Sequence, residues 1–190
     1  MKPKPGLLSP LIRSDVQGLI LAKLFLNAGE DFSITELADF AITSVPTAMR
    51  EVDRLVEAEY VNDKTVGRVR LIRANQDHPL FAAVFQVVAH SYGPATVLPT
   101  ALANIFGLQA AYIYGEWAAR LAQEPGPVPA RIDLLLVGNM NRIDATRALS
   151  AAEKTLGKLI NVQFASAFDW ERADSDFIRA VRSRPLLQVR

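Results

Sequence analysis

The chain has 190 residues, with 21 basic and 20 acidic side chains and a formal net charge of +1. Half of the residues are apolar and 22% are charged, a globular balance that argues against a long disordered tract. Cysteine is absent and histidine occurs only at 78 and 90. Disulfides, thiolate zinc sites, iron–sulfur clusters and thiol catalysis are therefore excluded, an imidazole metal cage lacks ligands, and no metal or cofactor is expected.

At the start, Met1 to Arg13 carries three prolines and no sustained apolar run. The stretch Leu19 to Leu26 contains Lys23 and is far short of the ~20 residues of a spanning helix. The expectation is a cytoplasmic protein with no membrane segment. Ser14 or Asp15 caps a first helix whose Val16, Leu19, Ile20 and Leu24 recur at helical spacing, ending at Ala28-Gly29. Phe32 to Ile34 is extended. A second helix starts at Thr35 with Leu37, Ala38 and Ala41 inward. Ile42-Thr43-Ser44 is a tight connection, with Ser44 as cap and Pro46 at a tolerated first-turn position. The third helix runs to about Ala58, with Val45, Met49, Val52, Leu55 and Val56 on one face. Tyr60 to Thr65 and Arg68 to Ala74 read as a hairpin around Val66-Gly67.

This order, and the residues Ser33-Ile34-Thr35-Glu36-Leu37-Ala38, Thr43-Ser44-Val45-Pro46-Thr47 and Val52 to Ala58, resembles the ArsR-type winged-helix repressors over roughly residues 10 to 75. The resemblance implies a homodimer on double-stranded DNA with the third helix in the major groove. Thr47, Arg50 and Arg54 lie off the apolar face of that helix, near the capping Ser44; arginine can bond guanine bidentately. Lys64, Arg68, Arg70 and Arg73 gather on the hairpin, where phosphate contact needs only charge and reach. Arg68 and Arg70 share one strand face on this reading. The plainer alternatives are a solvated helix face with a Glu51–Arg54 pair and a strand edge protected by charge. The first 75 residues hold ten basic and ten acidic groups, so the phosphate footprint is small and dimer avidity matters.

Pro79 opens a helix from Leu80 to His90, broken at Tyr92-Gly93-Pro94, and another follows from Thr96 to Phe106. Residues 76 to 94 are expected to link and dimerise, by the same resemblance. Leu108 to Tyr114 is a strand, and Ile132 to Val137 one buried on both faces. Arg142 to Leu156 is a helix, Ile160 to Phe164 a strand, Asp176 to Arg182 a short helix, and Leu186 to Val189 the close of the chain.

The segments Tyr112 to Arg120, Arg131 to Gly138 and Asp176 to Leu186 resemble the minimal nucleotidyltransferase domain over residues 95 to 190. The whole chain resembles bacterial regulators that fuse an ArsR-type winged helix to that domain. The fold class expected is α+β: an N-terminal winged helix-turn-helix, linker helices, and a C-terminal α/β domain with a mixed sheet. The family's enzymes use a Gly-Ser pair for phosphates and an Asp-x-Asp pair on the next strand for metal ions. Here Gly115 matches, but Glu116 replaces the serine and Arg131 replaces the first carboxylate, leaving Asp133 alone. These residues read as the remnant of an inactivated site with no catalytic residue, in which Arg131 and Asp133 pair across one strand face.

The C-terminal domain is then a sensing or interaction module for a small-molecule or nucleotide effector, or for a protein partner. An active transferase and an antitoxin-like partner protein are the alternatives. His78 reads as a helix anchor and His90 as dipole-favoured at a helix end. Trp117 and Trp170 read as core or interface aromatics. Arg179, Arg182 and Arg184 read as a solvated cluster or an anion subsite.

Overall fold

The computed structural model describes residues 14–173 and 175–190. The readings that fall on residues 1–13 lie outside these. The chain divides into two compact units, one ending at Gly93 and the other beginning at Pro94.

In the first unit, Ser14 accepts the Gln17 amide at 3.2 Å and caps α1 (Asp15–Phe25). β1 (Phe32–Ser33) leads into α2 (Ile34–Phe40). Ser33 and Glu36 form a reciprocal capping box, so α2 begins one residue earlier than its spacing predicts, and Ile34 is helical and not extended. The α2–α3 turn closes by Thr43 N–H donating to the Ala38 carbonyl at 3.0 Å. At its tip Ile42 has a φ of 51° and is 88% exposed. Left-handed backbone is costly for a β-branched side chain. α3 (Val45–Glu57) follows, then β2 (Val61–Val66) and β3 (Val69–Ala74), joined by the two-residue turn Gly67-Arg68. The three strands form an antiparallel sheet in the order β1-β3-β2. This is the connectivity of a winged helix-turn-helix. Ile20, Leu24, Phe25, Leu37, Val52 and Ile72 form its fully buried core.

Two expectations for this unit change. Val45 and Met49 are not core residues: they are 39% and 41% exposed, and Ala48, Val52 and Leu55 make the buried face. The small Ala48 takes the inward position and rotates the helix away from its larger neighbours. Arg68 lies in the turn, not on a strand, so it shares no face with Arg70.

α4 (Phe81–Tyr92) packs on α1, with Phe81 stacked on Phe25 at 5.4 Å between ring centroids. α5 (Pro94–Leu102) belongs to the second unit, where it packs on α7 (Arg142–Leu156). Taken together, Phe81–Leu102 is long and apolar enough to cross a membrane by length and composition, which the expectation of no such segment overlooked. In this structure Phe85, Val88, Ala89, Leu98 and Leu102 are buried.

The second unit continues with β4 (Leu108–Tyr114), α6 (Gly115–Leu121), β5 (Arg131–Gly138), α7, β6 (Leu159–Ala165), α8 (Ala167–Arg172), α9 (Asp176–Arg182) and β7 (Leu187–Gln188). The sheet is mixed, in the order β6-β5-β4-β7: β5 and β6 run parallel, and β4 is antiparallel to β5 and β7. β5 is central and buried from Leu134 to Val137. On one face Leu135 and Val137 pack with Val181, Tyr112, Tyr114 and Trp170. Leu134 and Leu136 turn to the other face by strand alternation. β6 is an edge strand with no charged residue, and Glu153 takes up one of its amides, that of Ile160, at 2.7 Å. α8, capped by Ser166, has no buried residue, so no apolar spacing announces it.

Candidate nucleic-acid interface and carboxylate cluster

The start of α3 carries a string of polar side chains. Ser44 accepts the Thr47 amide at 3.4 Å, the two hydroxyls stand 2.9 Å apart, and Arg50 Nη2 donates to Thr47 Oγ1 at 3.2 Å. All lie at or near the surface. Arg54 instead pairs with Glu51 at 2.9 Å, the plainer of its two readings. Arg50 and Arg54, although four residues apart, are therefore engaged by different partners.

The hairpin cations are mostly neutralised within the unit. Asp31 holds Lys64 at 2.7 Å and Arg73 through two bonds of 2.9 and 2.8 Å. Hydrogen bonds from Lys64 and then Arg73 keep the Asp31 carboxyl below its ordinary range. Arg70 lies between Asp53 of α3 and Asp63 of β2, at 2.6 and 2.9 Å. The hydrogen bond that Arg70 donates to Asp53, ahead of the one to Asp63, raises the Arg70 pKa. At the hairpin tip Arg68 is exposed and forms no ion pair with any described residue. Of the hairpin cations, only Arg68 is left for an external phosphate without breaking an ion pair.

The carboxylates that do this neutralising, Asp31 and Asp53, carry no sequence signal of that role. Asp31 is 33 residues from Lys64 and 42 from Arg73. Asp63–Arg70 could have been found, because in the hairpin register Asp63 faces Ile72 and Arg70 faces Thr65, which makes them a diagonal cross-strand pair.

In the second unit, Gly115, Arg131 and Asp133 come together as their motif suggests. Gly115 has a φ of 68°, and a side chain there would start 3.1 Å from Asp133 Oδ2. Arg131 Nε stands 3.3 Å from Asp133 Oδ1, and Asn161 Nδ2 donates to the same oxygen at 2.8 Å. The pairing of Arg131 with Asp133 across one strand face is thus realised. Glu116 is exposed at the start of α6. Tyr114, opposite Asp133 in the ladder, has its hydroxyl pKa raised by burial and then by the Asp133 charge. Among the described residues no group of three His, Asp or Glu side chains could hold a metal ion.

The other singled-out residues have structural places. His78 Nδ1 accepts the Leu80 amide at 3.1 Å ahead of α4, and its ring lies tilted against Tyr60 with centroids 4.2 Å apart. His90 lies in the last turn of α4. Trp117 is a core residue, and Trp170 stacks on Tyr112 with centroids 4.6 Å apart. Arg182 donates to the Trp170 carbonyl and lies over its ring, and Arg179 bonds Asp176 and the Ala173 carbonyl. Those two cations are occupied, and Arg184 is exposed.

No protein-family model matches the sequence, and no curated protein is significantly similar to it. Among solved structures, the MarR family transcriptional regulator SPO1453 from Silicibacter pomeroyi DSS-3 aligns at 27% identity with a TM-score of 0.35. The alignment covers 48% of this chain and 63% of that one, so the chain spans less than two thirds of the regulator it matches.

Proposed function

We propose that the first unit binds double-stranded DNA, that the chain acts as a homodimeric transcriptional regulator, and that α3 enters the major groove. The observation that carries this reading is the exposed Ser44–Thr47–Arg50 string at the start of the second helix of a helix-turn-helix. The residues there are those from which base edges are read in such motifs. Arg68 at the hairpin tip supplies a phosphate contact. Lys64 and Arg70 reach phosphates only by exchanging Asp31 or Asp53 and Asp63 for them. Specific affinity then rests on few contacts, and two half-sites on a two-fold dimer compensate. The exposed Leu80 and Val87 at and on α4 suit the dimer contact.

The second unit is, on this reading, a transferase-like domain that senses or binds and does not catalyse. Glu116 brings negative charge to a phosphate position, and Asp133 is taken up by Arg131 and Asn161. The reading implies a cytoplasmic protein. The test is footprinting of the protein on the DNA upstream of its own gene at low salt, with Arg50→Ala as control. Protection that depends on Arg50 supports the reading, and absence of any protection overturns it.

A further inference from the structure

The second unit has a cavity of about 360 Å³ at the end of β5 away from Asp133. Asn104, Ile105, Phe106, Asn139, Asn141 and Asp144 line it. Its walls are the segment after α5 and the β5–α7 connection, which are locked together. The Asn139 amide donates to the Gly107 carbonyl at 3.0 Å. A side chain on Gly107 would meet the Asn139 carbonyl oxygen at 2.2 Å, and one on Gly138 would meet the Gly107 carbonyl oxygen at 2.2 Å. The two segments approach this closely only as glycines, so the cavity exists before any ligand arrives, which lowers the cost of binding.

Three properties define what it can hold. Phe106 is 95% exposed at its rim, an aromatic face with nothing stacked on it among the described residues. Asn141 Oδ1 already accepts the Ile143 and Asp144 amides, at 2.9 and 3.3 Å, so the start of α7 offers an anion no open amide cradle there. The only charged lining residue is Asp144, and Arg147, 4.0 Å from it, is outside the lining. The Asp144 carboxylate, the amide groups and an aromatic wall favour a planar ring bearing an amine, and the lining offers no cation to a phosphate or carboxylate. The volume falls at the lower end of the usual range for small-molecule sites, roughly 300–1,000 Å³.

We propose that this cavity binds a planar aromatic amine without phosphate or carboxylate. The ring stacks on Phe106, the ammonium faces Asp144, and Asn104 and Asn139 take the polar edge of the ring. The proposal does not depend on DNA binding or on the fate of the Asp133 cluster.

The experiment uses the full chain with two probes of similar shape and opposite charge, tryptamine and indole-3-acetate, read by saturation-transfer NMR and by calorimetry. Tryptamine is expected to bind saturably, and indole-3-acetate about tenfold more weakly or not at all. Phe106→Ala and Asp144→Asn, both at exposed positions, are each expected to weaken tryptamine by about tenfold with an unchanged circular dichroism spectrum. The proposal is overturned if tryptamine does not saturate, if both probes bind equally, or if neither substitution changes the affinity.

Discussion

Arg70 ties the hairpin to the third helix: its Nη1 lies 2.6 Å from Asp53 Oδ1 while its Nε holds Asp63 at 2.9 Å. A hairpin cation that the sequence offers to a phosphate is thus part of the internal frame of the unit. Asp53→Asn with Asp63→Asn frees it. These pairs are partly solvent-exposed, so the double variant is expected to lose only about 0.5–1 kcal/mol of stability. On the proposed function it gains DNA affinity, and the salt dependence steepens by about one phosphate contact. Denaturant titration and binding isotherms at several salt concentrations check both halves.

Arg68 and Arg50 should separate. Arg68→Ala removes an exposed tip cation and is expected to lower affinity for all sequences alike, with the salt slope reduced by about one. Arg50→Ala is expected to cost about 1–3 kcal/mol on the preferred site and little elsewhere. Equal losses on specific and random duplexes from Arg50→Ala would remove that residue from base reading.

Acid should weaken the first unit through two carboxylates. The Asp31 pKa is lowered by Lys64 and Arg73, and that of Glu36 by the Ser33 amide and then its hydroxyl. Both folded-state values lie below the unfolded ones. The stabilisation is therefore complete above the ordinary carboxylate range of roughly pH 4–4.5 and is lost as the pH falls through the lowered folded-state values. Urea unfolding at a series of pH values should show the decline, and Asp31→Asn should flatten it.

Gly115 is expected to resist replacement. Gly115→Ala puts a side chain in left-handed backbone and 3.1 Å from Asp133 Oδ2, which is expected to cost about 1–2 kcal/mol. Asp133→Ala should remove that crowding and recover part of the loss in a double-mutant cycle. Incubation of the unaltered chain with labelled nucleoside triphosphates and Mg²⁺ or Mn²⁺ is expected to give no label transfer.

Most of the element order was legible because it rests on local rules. Apolar spacing marked the helices, Ser14 and Ser44 marked two starts, and Arg142 to Leu156 was bounded correctly by its own pattern. Ser33 was missed as a cap because Phe32 to Ile34 also reads as extended. Val45 and Met49 were misplaced because spacing alone does not say which flank of an apolar stripe meets the core. The Gly115–Arg131–Asp133 grouping was legible from the resemblance to the transferase motif, whereas the masking of Lys64, Arg70 and Arg73 was not. That masking depends on Asp31 and Asp53, which reach the hairpin only once the chain has folded.

β6 gives the second unit an open rail. One side of this seven-residue strand pairs with β5; the other carries neither a lysine nor a proline to repel a newcomer, and Glu153 occupies a single amide. A further strand can therefore add there without disturbing any existing ladder bond. At high concentration two copies are expected to pair edge to edge through this strand, and Gln163→Lys should act as a gatekeeper that keeps them apart.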